Sequence, residues 1–283
     1  MRFGASTFIW VSPFGTDTLD LIDHIRDLGF GQIEICVEDP ETIDTASIRA
    51  RLEHAGLAIS ICGAFGPDRD NSADDPSVRA TALAYTKALV DIAADLGGSI
   101  VVGPMYAGVG ATKMLDAAAR RRQWDNAVGG LRQAADHAAT RGVRLALEPI
   151  NRFETDLVNT VDQGVRMVGD IDRPNVGLLI DTFHMNIEEK SLPDAIRRAG
   201  KHILQFHACG SDRGTPGEDH LPWADIAAAL HETGFSGAVV IEAFNPKITS
   251  IARAVSLWRP LADSEDALAG GGLAHLRRVF AAR

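Results

Sequence analysis

The sequence predicts a (β/α)8 barrel over residues 1–283, organised as one domain. Three observations point there: eight short apolar runs recur along the chain, a helical pattern follows most of them, and four of the runs stop at a carboxylate or an imidazole. Glu148 follows LAL, Asp181 follows GLLI, His207 follows ILQF and Glu242 follows VVI. Runs of this kind read as strands buried on both faces, and a parallel barrel builds its active site where such strands end.

The expected strands are Arg2 to Ser6, Gln32 to Val37, Ala58 to Ala64, Ser99 to Gly103, Arg144 to Glu148, Val176 to Asp181, Ile203 to His207 and Ala238 to Glu242. Between them lie helical patterns such as Thr18 to Leu28, Ser77 to Leu96, Trp124 to Arg141 and Trp223 to Thr233. Each of these is closed by a glycine, Gly29, Gly97, Gly142 or Gly234, at the position that favours a left-handed C-terminal cap. The strands recur without a shared sequence signature, so the regularity is architectural and not a sequence repeat. Three strand-to-helix loops, Gly66 to Pro76, Pro104 to Arg120 and Gly210 to Leu221, fall on the catalytic face and are expected to form a substrate pocket. The Gly270 to Gly272 run reads as flexible. The stretch Asp263 to Arg283 reads as a polar loop and a final amphipathic helix, Ala274 to Ala282, that closes the barrel bottom or meets another subunit.

Bulk properties agree with this architecture. The chain has 283 residues and 46% hydrophobic residues, and a (β/α)8 barrel needs about 250 residues. A formal net charge of -10 argues against a nucleic-acid groove, which needs a basic stripe to neutralise phosphates. Cys36, Cys62 and Cys209 are too few and too widely spaced for a disulfide framework or a zinc knuckle, so reduced thiols in the cytoplasm are expected. The start MRFGASTFIW lacks the features of a secretion signal, and no apolar run approaches the roughly 20 residues of a membrane span.

Three carboxylates and one imidazole converging at strand ends would repel one another and lose hydration, and a divalent cation removes both penalties. Without thiolate the set is hard and oxygen-rich, which favours manganese, with magnesium or cobalt as alternatives, over zinc. Two glutamates on opposite sides of such an ion suit proton transfer beside a ketone. Taken singly, each residue has a plainer reading. Glu148 could pair with Arg144 or Arg152, His184 could be a core histidine bonded to a carbonyl, and Arg213 and Glu154 could be solvated loop charges. His24, His54, His137, His231 and His275 fall in helical patterns, and Cys62 and Cys209 read as small buried apolar groups.

The segments Glu148-Pro-Ile-Asn-Arg-Phe-Glu154, Asp181-Thr-Phe-His-Met-Asn-Ile-Glu-Glu189, His207 through Arg213, Pro216-Gly-Glu218 and Leu221-Pro-Trp223 resemble those of the ketose 3-epimerases, the D-tagatose and D-psicose (D-allulose) 3-epimerases among the xylose-isomerase-like barrels. The spacings between the four ligand residues match as well. The resemblance implies that Glu148, Asp181, His207 and Glu242 bind the metal and that Glu148 and Glu242 exchange the carbon-3 proton of a small-molecule ketose. It also implies that Glu154, His184 and Arg213 hold the sugar's oxygens, and that the enzyme assembles as a homodimer or homotetramer. Two segments depart from the family. Gly103 to Gly110 is glycine-rich where relatives carry bulkier residues, and Cys209-Gly-Ser-Asp212 lacks the acidic residue expected after the histidine ligand. The glycines either satisfy a turn or open the pocket to a larger ligand such as a glycoside. The same residues would also serve a lyase or isomerase acting on an oxidised sugar, and a non-catalytic sugar-binding barrel is the remaining alternative. Lys247 is the only cation just after the last strand, which favours an unphosphorylated sugar.

Overall fold

The computed structural model describes residues 1–281. Eight parallel strands close in sequence order into a barrel: β1 (Arg2–Ser6), β2 (Gln32–Val37), β3 (Ala58–Gly63), β4 (Ile100–Gly103), β5 (Arg144–Leu147), β6 (Val176–Asp181), β7 (Ile203–Ala208) and β8 (Ala238–Ile241). β1 pairs with both β2 and β8, which completes the ring. The helices are α1 (Asp20–Asp27), α2 (Thr45–Ala55), α3 (Pro76–Asp95), α4 (Ala117–Thr140), α5 (Val161–Ile171), α6 (Thr182–Glu188), α7 (Leu192–Ala199), α8 (Trp223–Glu232), α9 (Thr249–Ala254) and α10 (Glu265–Ala281). Among the described residues no helix is long and apolar enough to cross a membrane.

Both faces of every strand are covered, which is why the strands read as unbroken apolar runs. Along β2, Ile33, Ile35 and Val37 belong to the core under the helices, whereas Gln32 and Glu34 hydrogen-bond across the barrel interior. Inside the barrel a smaller apolar cluster includes Phe8, Cys36, Cys62, Val102, Leu179 and Phe244. The glycines expected to cap helices do so, with φ of 97° at Gly29, 77° at Gly97, 69° at Gly142 and 72° at Gly234.

Several boundaries move. β5 and β8 stop one residue before Glu148 and Glu242, β3 stops before Ala64, β4 begins after Ser99, and β7 runs on through Ala208. α4 starts at Ala117 because Asp116 accepts the Ala119 amide as its N-cap, so the end of the expected Pro104 to Arg120 loop is helical. The largest correction concerns the C-terminus. α10 begins at Glu265 and runs straight through Gly270 to Gly272, a stretch expected to be flexible; the expected end at Ala282 lies outside the described residues. A Cβ on Gly272 would lie 2.8 Å from Ile241 Cδ1 and 2.9 Å from Pro216 Cδ, so this glycine lets the helix press against the end of β8. The helix fills the eighth outer position, its Phe280 ring edge-on to Phe3 and its Arg277 donating to the Gly29 carbonyl.

A one-residue irregularity between Leu178 and Leu179 shifts the β6 and β7 pairing just below the site. Gly177 makes it possible, since a Cβ there would sit 2.5 Å from the His202 carbonyl oxygen. Gly177→Ala is expected to lower unfolding free energy by about 1–3 kcal/mol through this overlap. Chemical denaturation measures it, and an unchanged midpoint would show that the strand yields freely.

Candidate metal centre

The four sequence-predicted ligand residues come from four consecutive strands and meet at one end of the barrel. Glu148 follows β5, Asp181 ends β6, His207 lies in β7 and Glu242 follows β8. Their ligand atoms all lie within 4.8 Å of one another, and the four residues are between 0% and 5% exposed. Asp181 also starts α6: its Oδ1 accepts the Phe183 and His184 amides at 2.6 and 3.2 Å. That cap fixes the carboxylate plane and leaves Oδ2 facing His207 Nδ1 at 3.7 Å and Cys209 Sγ at 2.9 Å.

His207 tests whether these residues fit a cation. Its Nε2 lies 3.2 Å from Glu34 Oε2, while its Nδ1 is buried without a hydrogen-bond partner. The Nδ1 instead faces Glu242, Asp181 and Glu148 at 3.6, 3.7 and 4.0 Å. A carboxylate behind one ring nitrogen, with the other nitrogen turned toward further carboxylates, is how metal-bound histidines are held. Hence the cluster could hold a metal, and the unpartnered nitrogen is where the imidazole would meet it.

The electrostatics agree. Burial, reinforced by the Glu242 charge, pushes the Glu148 carboxyl well up. Burial works against charge on His207 too, but Glu34 and Glu242 outweigh it and raise the ring well above its usual range. Burial opposes ionisation of Glu242 and Asp181, yet His207 and Arg213 hold both below their ordinary values. Both upward shifts favour proton uptake by Glu148 and His207, which a cation at the cluster would oppose.

The three residues expected around the sugar gather here as well. His184 Nδ1 accepts the Asn151 amide at 3.0 Å, which places the proton of the neutral ring on Nε2, 3.7 Å from Glu148; Arg213 Nη2, which can only donate, lies 3.2 Å from that nitrogen and in this tautomer is a contact without a hydrogen bond. Burial, then the Arg213 charge, hold this ring below its usual range and keep it neutral. Arg213 donates to Glu242 at 2.8 Å and lies between the rings of Phe183 and Phe244. Its φ of 70° is unusual for a residue with a side chain, and a Gly210–Gly214 turn imposes it. Glu154 accepts from Asn151 Nδ2 at 2.8 Å. The plainer pairing for Glu148 does not occur, because Arg152 instead grips Glu188 with two nitrogens.

A cleft of about 420 Å³ opens above the cluster, lined by Glu148, Glu154, His184, Arg213 and Glu242 on one side. The rest of the lining is mostly apolar, including Phe8, Phe65, Val109, Phe244, Ile251 and Val255, with Glu38 and Ser250 as polar exceptions. Arg213 is the only arginine or lysine among the lining residues, and Lys247 is engaged with Glu265 at 2.9 Å. The glycines at 103 and 108 serve close packing: a Cβ on Gly108 would meet the Gly66 carbonyl at 2.7 Å, and one on Gly103 the Gly63 carbonyl at 3.1 Å.

Sequence reasoning missed Glu34, a charge inside the apolar run QIEICV and 0% exposed. Its position in a strand otherwise buried on both faces was the available signal. Glu34 Oε2 also accepts from Gln205 and from Ser60 at 3.1 Å, so it is fixed behind His207. Asn151, which orients both His184 and Glu154, was missed too, although it lies within the quoted motif. Glu34→Gln is expected to weaken manganese binding by roughly 10–100-fold by titration calorimetry, with near-ultraviolet circular dichroism unchanged. Equal affinity in the two proteins would remove Glu34 from this role.

Residues 22–278 match the family model described as xylose isomerase-like TIM barrel. The chain is 31% identical over 280 residues to a probable ketose 3-epimerase of Synechocystis sp., covering 99% of this chain and 97% of that protein. It is 34% identical over 271 residues to an L-ribulose 3-epimerase of Mesorhizobium japonicum, covering 95% and 90%. A solved L-ribulose 3-epimerase superimposes with a TM-score of 0.93 at 32% identity, over 99% of this chain and 94% of that one. Shared backbone, shared length and this level of identity place the chain in the xylose isomerase-like TIM barrel family, among the ketose 3-epimerases.

Proposed function

We propose that this protein is a metal-dependent epimerase that inverts carbon 3 of a free ketose of the D-tagatose, D-psicose/D-fructose or L-ribulose type. The single observation that carries the reading is the convergence of Glu148 and Glu242 within one buried cluster of ligand atoms, both lining the same cleft. Glu148, Asp181, His207 and Glu242 would hold the ion. A divalent cation bound there, manganese by preference with magnesium or cobalt as alternatives, would polarise the ketone and acidify the neighbouring C–H bond.

The protein's own groups account for the rest. In one direction Glu242 takes the carbon-3 proton, and Glu148 delivers a proton from the other face of the flattened enediolate; the reverse reaction exchanges the roles. Arg213 holds Glu242 in place and keeps it ionised until it acts as the base. His184, neutral with its Nε2 proton turned toward the site, donates to a sugar oxygen where negative charge develops. Glu154, oriented by Asn151, accepts from a hydroxyl. The lining carries no cation besides the engaged Arg213, which favours a sugar without phosphate.

Incubating the manganese-loaded protein with a panel of ketoses in deuterated water tests the proposal. Deuterium at carbon 3 with inversion, read by NMR, is the expected outcome, and Glu242→Gln should lower the rate by about 10²–10⁴-fold. Loss of a leaving group from an oxidised glycoside, with no label in any free ketose, would favour the lyase reading instead.

A further inference from the structure

We propose that Glu34, Cys36 and Cys62 form a second and softer cation site inside the barrel, suited to a zinc-like divalent ion and separate from the oxygen-rich centre. Cys36 and Cys62 are register partners on the adjacent parallel strands β2 and β3. Their sulfurs and a carboxylate oxygen of Glu34 all lie within 4.8 Å of one another. The three side chains are between 0% and 5% exposed.

An independent observation concerns the two oxygens of Glu34. Oε2 accepts from Ser60 and Gln205 and lies 3.2 Å from His207 Nε2, whereas Oε1 is buried without an aligned hydrogen bond, 3.0 Å from the same nitrogen. A buried carboxylate oxygen without an aligned donor, on a residue whose ligand atom lies within 4.8 Å of two thiols, is open to a cation, and the bonds from Ser60 and Gln205 to Oε2 hold Glu34 in place. Cys62 also lines the substrate cleft, which gives an ion an entry path.

The chemistry balances. Cation binding replaces one proton on each sulfur, and both protons leave to solvent. Two thiolates and one carboxylate then carry three negative charges against the ion's two, with a fourth position open to water. The neighbouring Cys36 thiol and burial push the Cys62 thiol well up, so it stays protonated until a metal displaces the proton. Thiolate selects soft ions while the Glu148 cluster offers none, so the two sites would sort zinc-like from manganese-like cations.

The test is independent of the epimerase reading. The manganese-loaded full-length protein is titrated with cadmium, following the ultraviolet cadmium–thiolate charge-transfer band, with electron paramagnetic resonance reporting any manganese released. Expected are a band that saturates at one cadmium per chain, manganese retained, loss of that saturation in Cys36→Ser and in Cys62→Ala, and no change in Cys209→Ala. Absence of the band in the wild-type protein, a band that disappears in Cys209→Ala, or one manganese released per cadmium bound would each overturn the proposal. The wild-type and Cys209→Ala titrations decide it even if a β2 or β3 variant fails to fold.

Discussion

Three buried carboxylates and an imidazole whose ligand atoms lie within 4.8 Å of one another set the terms for the end of the barrel where β5 to β8 terminate. Each pair of like charges about 4 Å apart costs about 4 kcal/mol at an effective dielectric constant of about 20, and burial adds loss of hydration. The protein meets part of this with Arg213 beside Glu242, and part with protons held on Glu148 and His207. A divalent cation meets it more completely, because it attracts all three carboxylates at once and takes up the Nδ1 lone pair that His207 offers on losing its extra proton. Much of the surrounding structure maintains this arrangement. Asp181 is pinned as a helix cap, His207 is backed by Glu34, and the Arg213 guanidinium is sandwiched between two rings.

The barrel makes that concentration of charge tolerable. Strand pairing brings four residues distant in sequence to neighbouring positions, and the surrounding core and helices keep their backbones from relaxing apart. Asymmetry between the two glutamates follows from their neighbours. Arg213 contacts Glu242 directly, whereas Glu148 has only the uncharged His184 ring at 3.7 Å and His207 at 4.0 Å. In the proposed reaction, two carboxyls in one cleft, driven in opposite directions, would take complementary proton-transfer roles. Apart from Glu38 and Ser250, the lining away from the cluster is mostly apolar, so most of the groups able to fix hydroxyls lie beside the four ligand residues.

Much of this was legible in the sequence because barrel strands are buried on both faces and stand out as apolar runs, so a polar residue at the end of a run is conspicuous. Glu148, Asp181, His207 and Glu242 announce themselves in that way. Glu34 did not, because it lies in the middle of its run and its partner His207 is distant in sequence; only the closed ring brings them together. The Cys36 and Cys62 pair was hidden for the same reason, since register between β2 and β3 is a property of the sheet. Glycine misled at the C-terminus and stayed ambiguous after β4. The run at 270–272 reads as flexible, yet Gly272 allows tight packing within a continuous helix, and Gly103 and Gly108 reflect close backbone approach. Local composition cannot distinguish a glycine that loosens a chain from one that admits a neighbour.

The central claim is that His207 Nδ1, without a partner in the protein, completes a single cation site with Glu148, Asp181 and Glu242. Anomalous scattering at the manganese absorption edge from a manganese-soaked crystal tests it most directly. The account predicts one strong peak per chain at bonding distance from His207 Nδ1 and from an oxygen of each carboxylate. A site left without a peak at saturating manganese, or a peak bound elsewhere in the barrel, would contradict it.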